Sequence, residues 1–475
     1  MTSTTAPVVA HPRMTVIGTG YLGATHAICM AALGFDVLGV DVDETKIAAL
    51  AEGRVPFFEP GLPEKLREAL DSGRLRFTTD FTLAADFGDV HFVCVGTPQA
   101  SGSHAADLRF VESAFLQLAT RIRHKALLVG KSTVPIGTAQ RITGLVQEAS
   151  PIGDELELAW NPEFLREGYA VDDTLHPDRL VFGVTSQWAE DQLRAAFAPI
   201  LARETPLVVA DLATAELVKV AANSYLATKI SYINAMAEVC EATGADVNVL
   251  ATALGYDDRI GARFLKPGLG FGGGCLPKDI RAFAHRAQEL GVGQAVAFLG
   301  EVDAINIRRR VRTVDLVREL AGGDLAGVRV AALGAAFKPN SDDVRDAPAL
   351  DVARMLYLEG ASVVVYDPEA GANAHRAYPD LDYAPSLADA VTGADVVALL
   401  TEWDEFRDAD PAELGGLVAG RRIVDGRHAL DADRYRRAGW EYRALGRPSA
   451  TTPQPLMAPL VQPVVAPLVR RERDA

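Results

Sequence analysis

A lone cysteine closes a run of glycines, Gly268-Leu-Gly270-Phe-Gly272-Gly273-Gly274-Cys275, and is followed by Leu276-Pro277-Lys278-Asp279. Five glycines in seven residues let a backbone pass close to a ligand. Ile280 to Leu290 reads as a helix, so the thiol stands just before a helix N-terminus and three residues from a lysine. Both features favour thiolate, the nucleophilic form of cysteine. The alternative is a turn built around a buried structural thiol, the usual setting of a free cysteine. Lys219 and Asn223 form a second group. They are four residues apart in a stretch free of Gly and Pro up to Gly244, with Val220, Ala221 and Ala222 between them. A lysine and an amide on one face of an apolar helix mark either a buried polar site or an exposed stripe. A third group is Asn161-Pro162-Glu163-Phe164-Leu165-Arg166-Glu167-Gly168. Asn161 as N-cap and Pro162 at the first helical position predict a helix with Glu163 and Glu167 on one face. Such a pair is either solvated or acid–base machinery.

These residues need elements to hold them. Met14 to Ile17 is a short apolar run entering Gly18-Thr-Gly20-Tyr21-Leu22-Gly23, a GxGxxG pattern. A helical stretch (Ala24 to Leu33) and a second strand ending in Asp41 follow. That is the βαβ setting a dinucleotide fingerprint requires. The acid about eighteen residues past the last glycine suits a ribose 2′-hydroxyl and repels a 2′-phosphate, which favours NAD over NADP. Asp89 to Val95 runs into Gly96-Thr97-Pro98, and Ala126 onward runs into Ser132-Thr133-Val-Pro135. Each places a hydroxyl at the C-terminal edge of a parallel sheet, where ligands bind. For Thr133 the competing role is a turn-capping hydroxyl. A second α/β unit begins at Val328 and passes through Gly334-Ala-Ala-Phe337-Lys338 to a strand ending in Asp367. Here a helix N-terminus with Lys338 nearby could still meet a pyrophosphate.

The fold expected is α/β, with two Rossmann-like doubly wound domains (13–210 and 326–447) joined by a long central helical domain (211–325). Residues 1–12 are expected to be a disordered lead, and the Pro-rich stretch 448–475 a disordered tail. The formal charge of −16 argues against a global basic field for nucleic acid. Four scattered cysteines with no CxxC pair fit a reducing cytoplasm, and no metal centre is expected. No apolar run reaches membrane-spanning length.

Taken jointly and in order, these motifs resemble the nucleotide-sugar 6-dehydrogenases of the UDP-glucose/GDP-mannose dehydrogenase family, most closely its UDP-glucose 6-dehydrogenase branch. The likeness covers about Met14 to Arg447. Arg259-Ile-Gly261 and Asp425-Gly-Arg427 also carry it. Gly274 and Leu276 depart from it, since the family usually has Ser and Phe there. The resemblance implies a four-electron oxidation of the sugar CH₂OH of UDP-glucose to a carboxylate, with two NAD. Cys275 would pass through a thiohemiacetal and a thioester. Lys219 and Asn223 would stabilise oxyanions. Asp279 would activate water with or through Thr133, and Glu163 would serve hydrolysis. Glu167 would lie near the nicotinamide. Gly18, Gly20, Tyr21, Leu22, Gly23, Asp41, Lys46, Thr97, Thr133, Lys278 and Arg345 would contact NAD. Glu163, Phe164, Leu165, Lys219, Asn223, Phe264, Leu265, Lys266, Gly272, Phe337, Lys338 and Arg427 would line the substrate site. Arg259 would reach a neighbouring subunit's sugar site, which implies a homodimer or higher homo-oligomer. The competing readings are a dehydrogenase for another nucleotide sugar (a UDP-N-acetylhexosamine or GDP-mannose), a non-catalytic nucleotide-sugar sensor, and a two-electron hydroxyacid dehydrogenase.

Overall fold

The computed structural model describes residues 11–447. The expected tail, and all but the last two residues of the expected lead, lie outside the described residues. The first sheet has eight strands: β1 (Met14–Ile17), β2 (Val37–Val40), β3 (Leu75–Thr78), β4 (Val90–Val93), β5 (Ala126–Gly130), β6 (Leu156–Trp160), β7 (Leu180–Gly183) and β8 (Leu207–Ala210). Their order is β3-β2-β1-β4-β5-β6-β7-β8. All neighbours are parallel except β6 and β7, which meet antiparallel at Trp160 and Gly183. β1, β2 and β4 are buried along their whole length, as a sheet covered on both faces by helices requires. Ile17 pairs with both Val40 and Val93. Gly18, Asp41 and Cys94 therefore leave the sheet side by side at its C-terminal edge.

The second sheet holds β9 (Arg329–Leu333), β10 (Ser362–Tyr366), β11 (Asp382–Tyr383), β12 (Val396–Leu399), β13 (Arg422–Asp425) and β14 (Glu441–Ala444). Its order is β11-β10-β9-β12-β13-β14, parallel throughout. The architecture is α/β, two Rossmann-like sheets with a helical segment between them.

The joining element is a helix of 32 residues, Leu212–Thr243. At about 1.5 Å per residue it runs some 48 Å. The Asp211 carboxylate accepts from Thr214 N at 2.8 Å and caps its start. Gly244, left-handed at φ 77°, ends it. One side buries Glu216, Lys219, Asn223, Ala227 and Asn234. The opposite side exposes Leu217, Tyr225, Tyr232 and Val239. Two further helices, Leu276–Glu289 and Phe298–Ala321, pack against it. No helix among the described residues is long and apolar enough to cross a membrane.

One local expectation is overturned. Residues 161–169 are not helical. The Asn161 amide is taken by tertiary partners, Lys131 Nζ on its oxygen (2.8 Å) and Val181 O on its nitrogen (2.9 Å), so it caps nothing. Glu163 and Glu167 therefore do not share a helical face.

Candidate active site

The glycine-rich loop threads between the central helices and the second sheet, and side-chain amides hold it there. Asn234 Oδ1 accepts from Gly268 N at 2.9 Å. Asn306 accepts from Phe271 N (2.8 Å) and donates to Phe271 O (2.9 Å). Arg310 Nη2 also reaches Phe271 O, at 3.3 Å. At Gly272 a Cβ would lie 2.3 Å from Asp346 O, so only glycine admits the loop of the second α/β unit. Gly273 N donates to Arg345 O at 2.9 Å, which joins the two loops directly. None of these amides was singled out from sequence. The sign that marked Asn223, an amide in an apolar helical stretch, was equally present at Asn234, whereas Asn306 lies between Asp303 and the run Arg308 to Arg310.

Cys275 ends this loop as the N-cap residue of the helix Leu276–Glu289. It is the one cysteine that reaches solvent, the other three being buried. The residue is exposed, but the protein packed around its cleft still desolvates the thiol. Burial, and secondarily the Asp279 charge, push the thiol up to about 11, against the pull of Lys219 and Lys278. Desolvation thus opposes the helix terminus and the lysines, the features that favour thiolate in the sequence.

Opposite the thiol stand the side chains of the long helix. Lys219 is 5% exposed, and its Nζ donates to Glu163 Oε1 at 3.1 Å. Burial works against its charge, but Glu163, Cys275 and Asp279 outweigh it and hold the ammonium above its ordinary range. Asn223 Nδ2 donates to Asp279 Oδ2 at 2.6 Å, and Lys278 Nζ donates to Asp279 Oδ1 at 2.6 Å. Glu163 Oε2 accepts from Leu165 N at 2.7 Å, which fixes the turn bearing Phe164 and Leu165. Lys219, Asn223, Cys275, Asp279 and Glu163 thus form one constellation. Thr133 lines a recess with Lys278 and Asp279, and its carbonyl accepts from Thr97 Oγ1 at 2.8 Å. Lys131, missed from sequence, lies behind this cluster.

The cofactor side fits a dinucleotide. A Cβ on Gly23 would lie 1.8 Å from Gly18 O, so the third glycine is what lets the first helix (Tyr21–Ala32) pack on the loop. Gly20 faces open space at that helix's N-terminus, the place for a pyrophosphate. Asp41 accepts from Thr19 N (2.8 Å) and Lys46 Nζ (2.8 Å). The Tyr21 hydroxyl is engaged elsewhere, bonded to Glu59 and accepting from Gly168 N at 3.0 Å. Glu59, buried and also missed from sequence, accepts from Gly168 N and Ala170 N at 2.7 Å each and so moors the 161–170 segment. Leu22 packs on the apolar core. Glu167 accepts from Ser341 Oγ at 3.0 Å and lies 3.5 Å from Arg345 Nη2, bridging the two α/β halves. Burial, with the Asp343 charge, pushes its carboxyl up to about 7. Arg345 is forked onto Asp343 (2.6–3.0 Å).

On the substrate side the placements diverge. Lys338 is mostly buried beside the Phe337 ring (5.3 Å), and burial draws its amine below the ordinary range, as for a cation awaiting an anion. The Phe337 ring in turn packs over Gly273. Three N–H groups of Arg427 are spent on Leu400 O (2.7 Å), Gly270 O (2.9 Å) and Phe337 O (3.1 Å). Arg427 therefore ties the glycine-rich loop to the second sheet, with the Glu402 carboxylate 3.5 Å from its Nε. Leu265 turns into a small core with Ile233, Ala237, Cys240 and Val247, so only its backbone can face a nucleotide. Phe264 is half-exposed and left-handed (φ 64°), and Lys266 lies 3.5 Å from Glu402. Arg259 projects into solvent, its side chain 89% exposed and, among the described residues, paired only with Asp257.

Three family models match the chain in succession. They are the NAD binding domain (residues 12–201), central domain (213–308) and UDP binding domain (331–432) of the UDP-glucose/GDP-mannose dehydrogenase family. The chain is 40% identical to a UDP-glucose 6-dehydrogenase of Rhizobium meliloti, over 92% of its own length and all of the relative's. It is 42% identical to the UDP-glucose 6-dehydrogenase AglM of Haloferax volcanii, over 88% of this chain and 98% of that one. Among solved structures it is similar to a UDP-glucose dehydrogenase of Pyrobaculum islandicum, with TM-score 0.85, 36% identity, and coverage of 93% of this chain and 100% of that one.

Proposed function

The chain belongs to the UDP-glucose/GDP-mannose dehydrogenase family, and on that premise we propose that it oxidises UDP-glucose to UDP-glucuronate through a covalent intermediate on Cys275. The observation that carries this reading is the convergence of Cys275, Lys219, Asn223, Asp279 and Glu163 from three separate chain segments. A sensor on this scaffold would need a sugar site but no nucleophile. A two-electron hydroxyacid dehydrogenase would need neither the cysteine loop nor the second sheet.

Bound NAD supplies a hydride acceptor, twice per sugar. Gly20 and the first helix's N-terminus would hold its pyrophosphate, and Asp41 its ribose hydroxyl. When the C6 hydroxyl loses its proton and a hydride leaves C6, the Lys219 ammonium and the Asn223 amide stabilise the oxygen's charge. The Cys275 sulfur then adds to the aldehyde carbon. A C–S bond forms and the carbonyl pair moves onto oxygen, facing the same two donors. The thiol is protonated at rest, so its proton departs as it adds, with Asp279 as the acceptor directly or through water. Loss of the second hydride from the same carbon gives a thioester. Water, activated by Glu163, replaces sulfur, the C–S bond breaks, and the carboxylate leaves. In total R–CH₂OH, two NAD⁺ and water become R–COO⁻, two NADH and three protons.

The exposed stripe Leu217, Tyr225, Tyr232 and Val239 supports a homodimer through the long helix. The outward reach of Arg259 supports its action in a partner's sugar site. Four free cysteines support a reducing cytoplasm. The test is a substrate panel of UDP-glucose, UDP-N-acetylglucosamine, UDP-N-acetylmannosamine and GDP-mannose with NAD, and products identified by mass spectrometry. UDP-glucuronate from UDP-glucose with kcat/KM at least a hundredfold above the others is expected. Preference for an N-acetyl sugar or GDP-mannose would overturn the sugar assignment.

A further inference from the structure

Lys131, just past the end of β5, is only 6% exposed, yet its amine has a single hydrogen-bond partner among the described residues, Asn161 Oδ1 at 2.8 Å. Burying an ammonium without a carboxylate against it costs far more than burying an amide or hydroxyl in the same place. Its immediate surroundings offer only the faces of two aromatic rings, a weak compensation for a buried cation. The Phe92 and Phe197 rings lie 5.9 and 5.6 Å away. His26 of the first helix is kept neutral by burial and by Lys131 itself. The Cys94 thiol, beyond β4, is pushed up to about 12 by burial and so stays protonated. Burial draws the Lys131 amine below its ordinary range, and the carboxylate that works to keep it charged is Glu163, with Lys219 beyond it working the other way.

Asn161 links the two. Its backbone N donates to Gly130 O at 2.8 Å, extending the pairing of β5 with β6. Its amide spans from Lys131 to Val181 O on β7. Only Pro162 then separates it from Glu163, which must leave the sheet and meet Lys219 from the far side. We infer that Lys131 is a positioning residue for Glu163: by gripping Asn161 at the point where three strands meet, and by placing a positive charge behind the turn, it holds the Glu163 carboxylate at the Cys275 acyl carbon for thioester hydrolysis. The inference rests on the hydrolytic role proposed above for Glu163. It also predicts a division of labour. Hydride removal, governed by Lys219 and Asn223, proceeds without Lys131, and release of the acid does not.

The test compares Lys131→Met, Asn161→Ala and Glu163→Gln with wild type in rapid-mixing experiments with NAD and UDP-glucose. NADH absorbance is followed, and the Cys275 peptide is examined by mass spectrometry. For Lys131→Met the expected result is a burst of two NADH per site at the wild-type rate. Steady turnover then falls at least tenfold, and a sugar thioester accumulates on Cys275. Asn161→Ala probes the same link from the other end and stands in if Lys131→Met does not fold. A merely structural lysine would slow burst and turnover together and raise the KM for NAD, and that result overturns the inference. So does unchanged turnover, or an adduct with Glu163→Gln but none with either of the other two variants. No adduct even with Glu163→Gln removes the hydrolytic role of Glu163 and the inference with it.

Discussion

Replacing Asp279 by Asn should make Cys275 more reactive while making the enzyme slower. With its thiol at about 11, Cys275 is mostly protonated at pH 8, roughly one molecule in a thousand carrying thiolate. Burial is the main cause, and the Asp279 carboxylate, one helical turn along and 2% exposed, is the next. Asp279→Asn removes that negative charge but keeps an oxygen for Asn223 Nδ2 to donate to. It also frees Lys278 from its 2.6 Å ion pair, adding positive potential near the sulfur. Loss of one like charge at such range is worth about 1–2 pK units in a partly desolvated site, a 10- to 100-fold gain in thiolate. The assay is iodoacetamide alkylation of the free enzyme across pH 7–10, read peptide by peptide. Buried Cys29, Cys94 and Cys240 serve as internal blanks. Alkylation of Cys275 should rise 10- to 100-fold in the variant while turnover of UDP-glucose falls. An alkylation rate equal to or below wild type, or a wild-type thiol that titrates below pH 8, would refute the reasoning.

Lys219→Met should lower kcat by about 10²- to 10³-fold, the usual loss for a desolvated oxyanion donor, with the KM for NAD little changed in initial-rate assays. Asn306→Leu should orphan the buried Phe271 N–H and destabilise the fold by roughly 1–3 kcal/mol, read in denaturant unfolding, because Arg310 bonds only the Phe271 carbonyl and cannot replace the lost acceptor. Glu167 sits at about 7 against an ordinary 4.5, so the native state keeps a proton that the unfolded chain gives up. Stability should therefore fall as pH rises from about 4.5 to 7 and level off above, and Glu167→Gln should reduce that slope in melts run across the window, while Glu216, also pushed up to about 7 by burial, maintains the rest.

Much of the site was legible because it is local. The glycine spacing, the thiol ahead of a helix and the Lys219/Asn223 pair are each written within a dozen residues, and regular elements carry them to the sheet edge. What escaped was tertiary. Asn161 reads as a helix cap until Lys131 and Val181 claim its amide. Cys275 reads as favouring thiolate until the protein around its cleft and the Asp279 charge raise its thiol. The motif bearing Arg427 does not show that three carbonyls from three segments take up its guanidinium. Leu265 shares a stretch with Lys266 but faces the opposite way, into the core. The strand pattern behaved alike. Buried β1, β2, β4 and β5 are plain apolar runs, whereas β3 is partly exposed at the sheet's edge and β11 is only two residues long.

The most direct test is the NADH yield when limiting UDP-glucose is run to completion with wild type and Cys275→Ser. Two NADH per sugar from wild type, with no sustained turnover from the variant, is the predicted result. One NADH per sugar, or a serine variant that still delivers two with lasting turnover, would contradict the covalent four-electron mechanism.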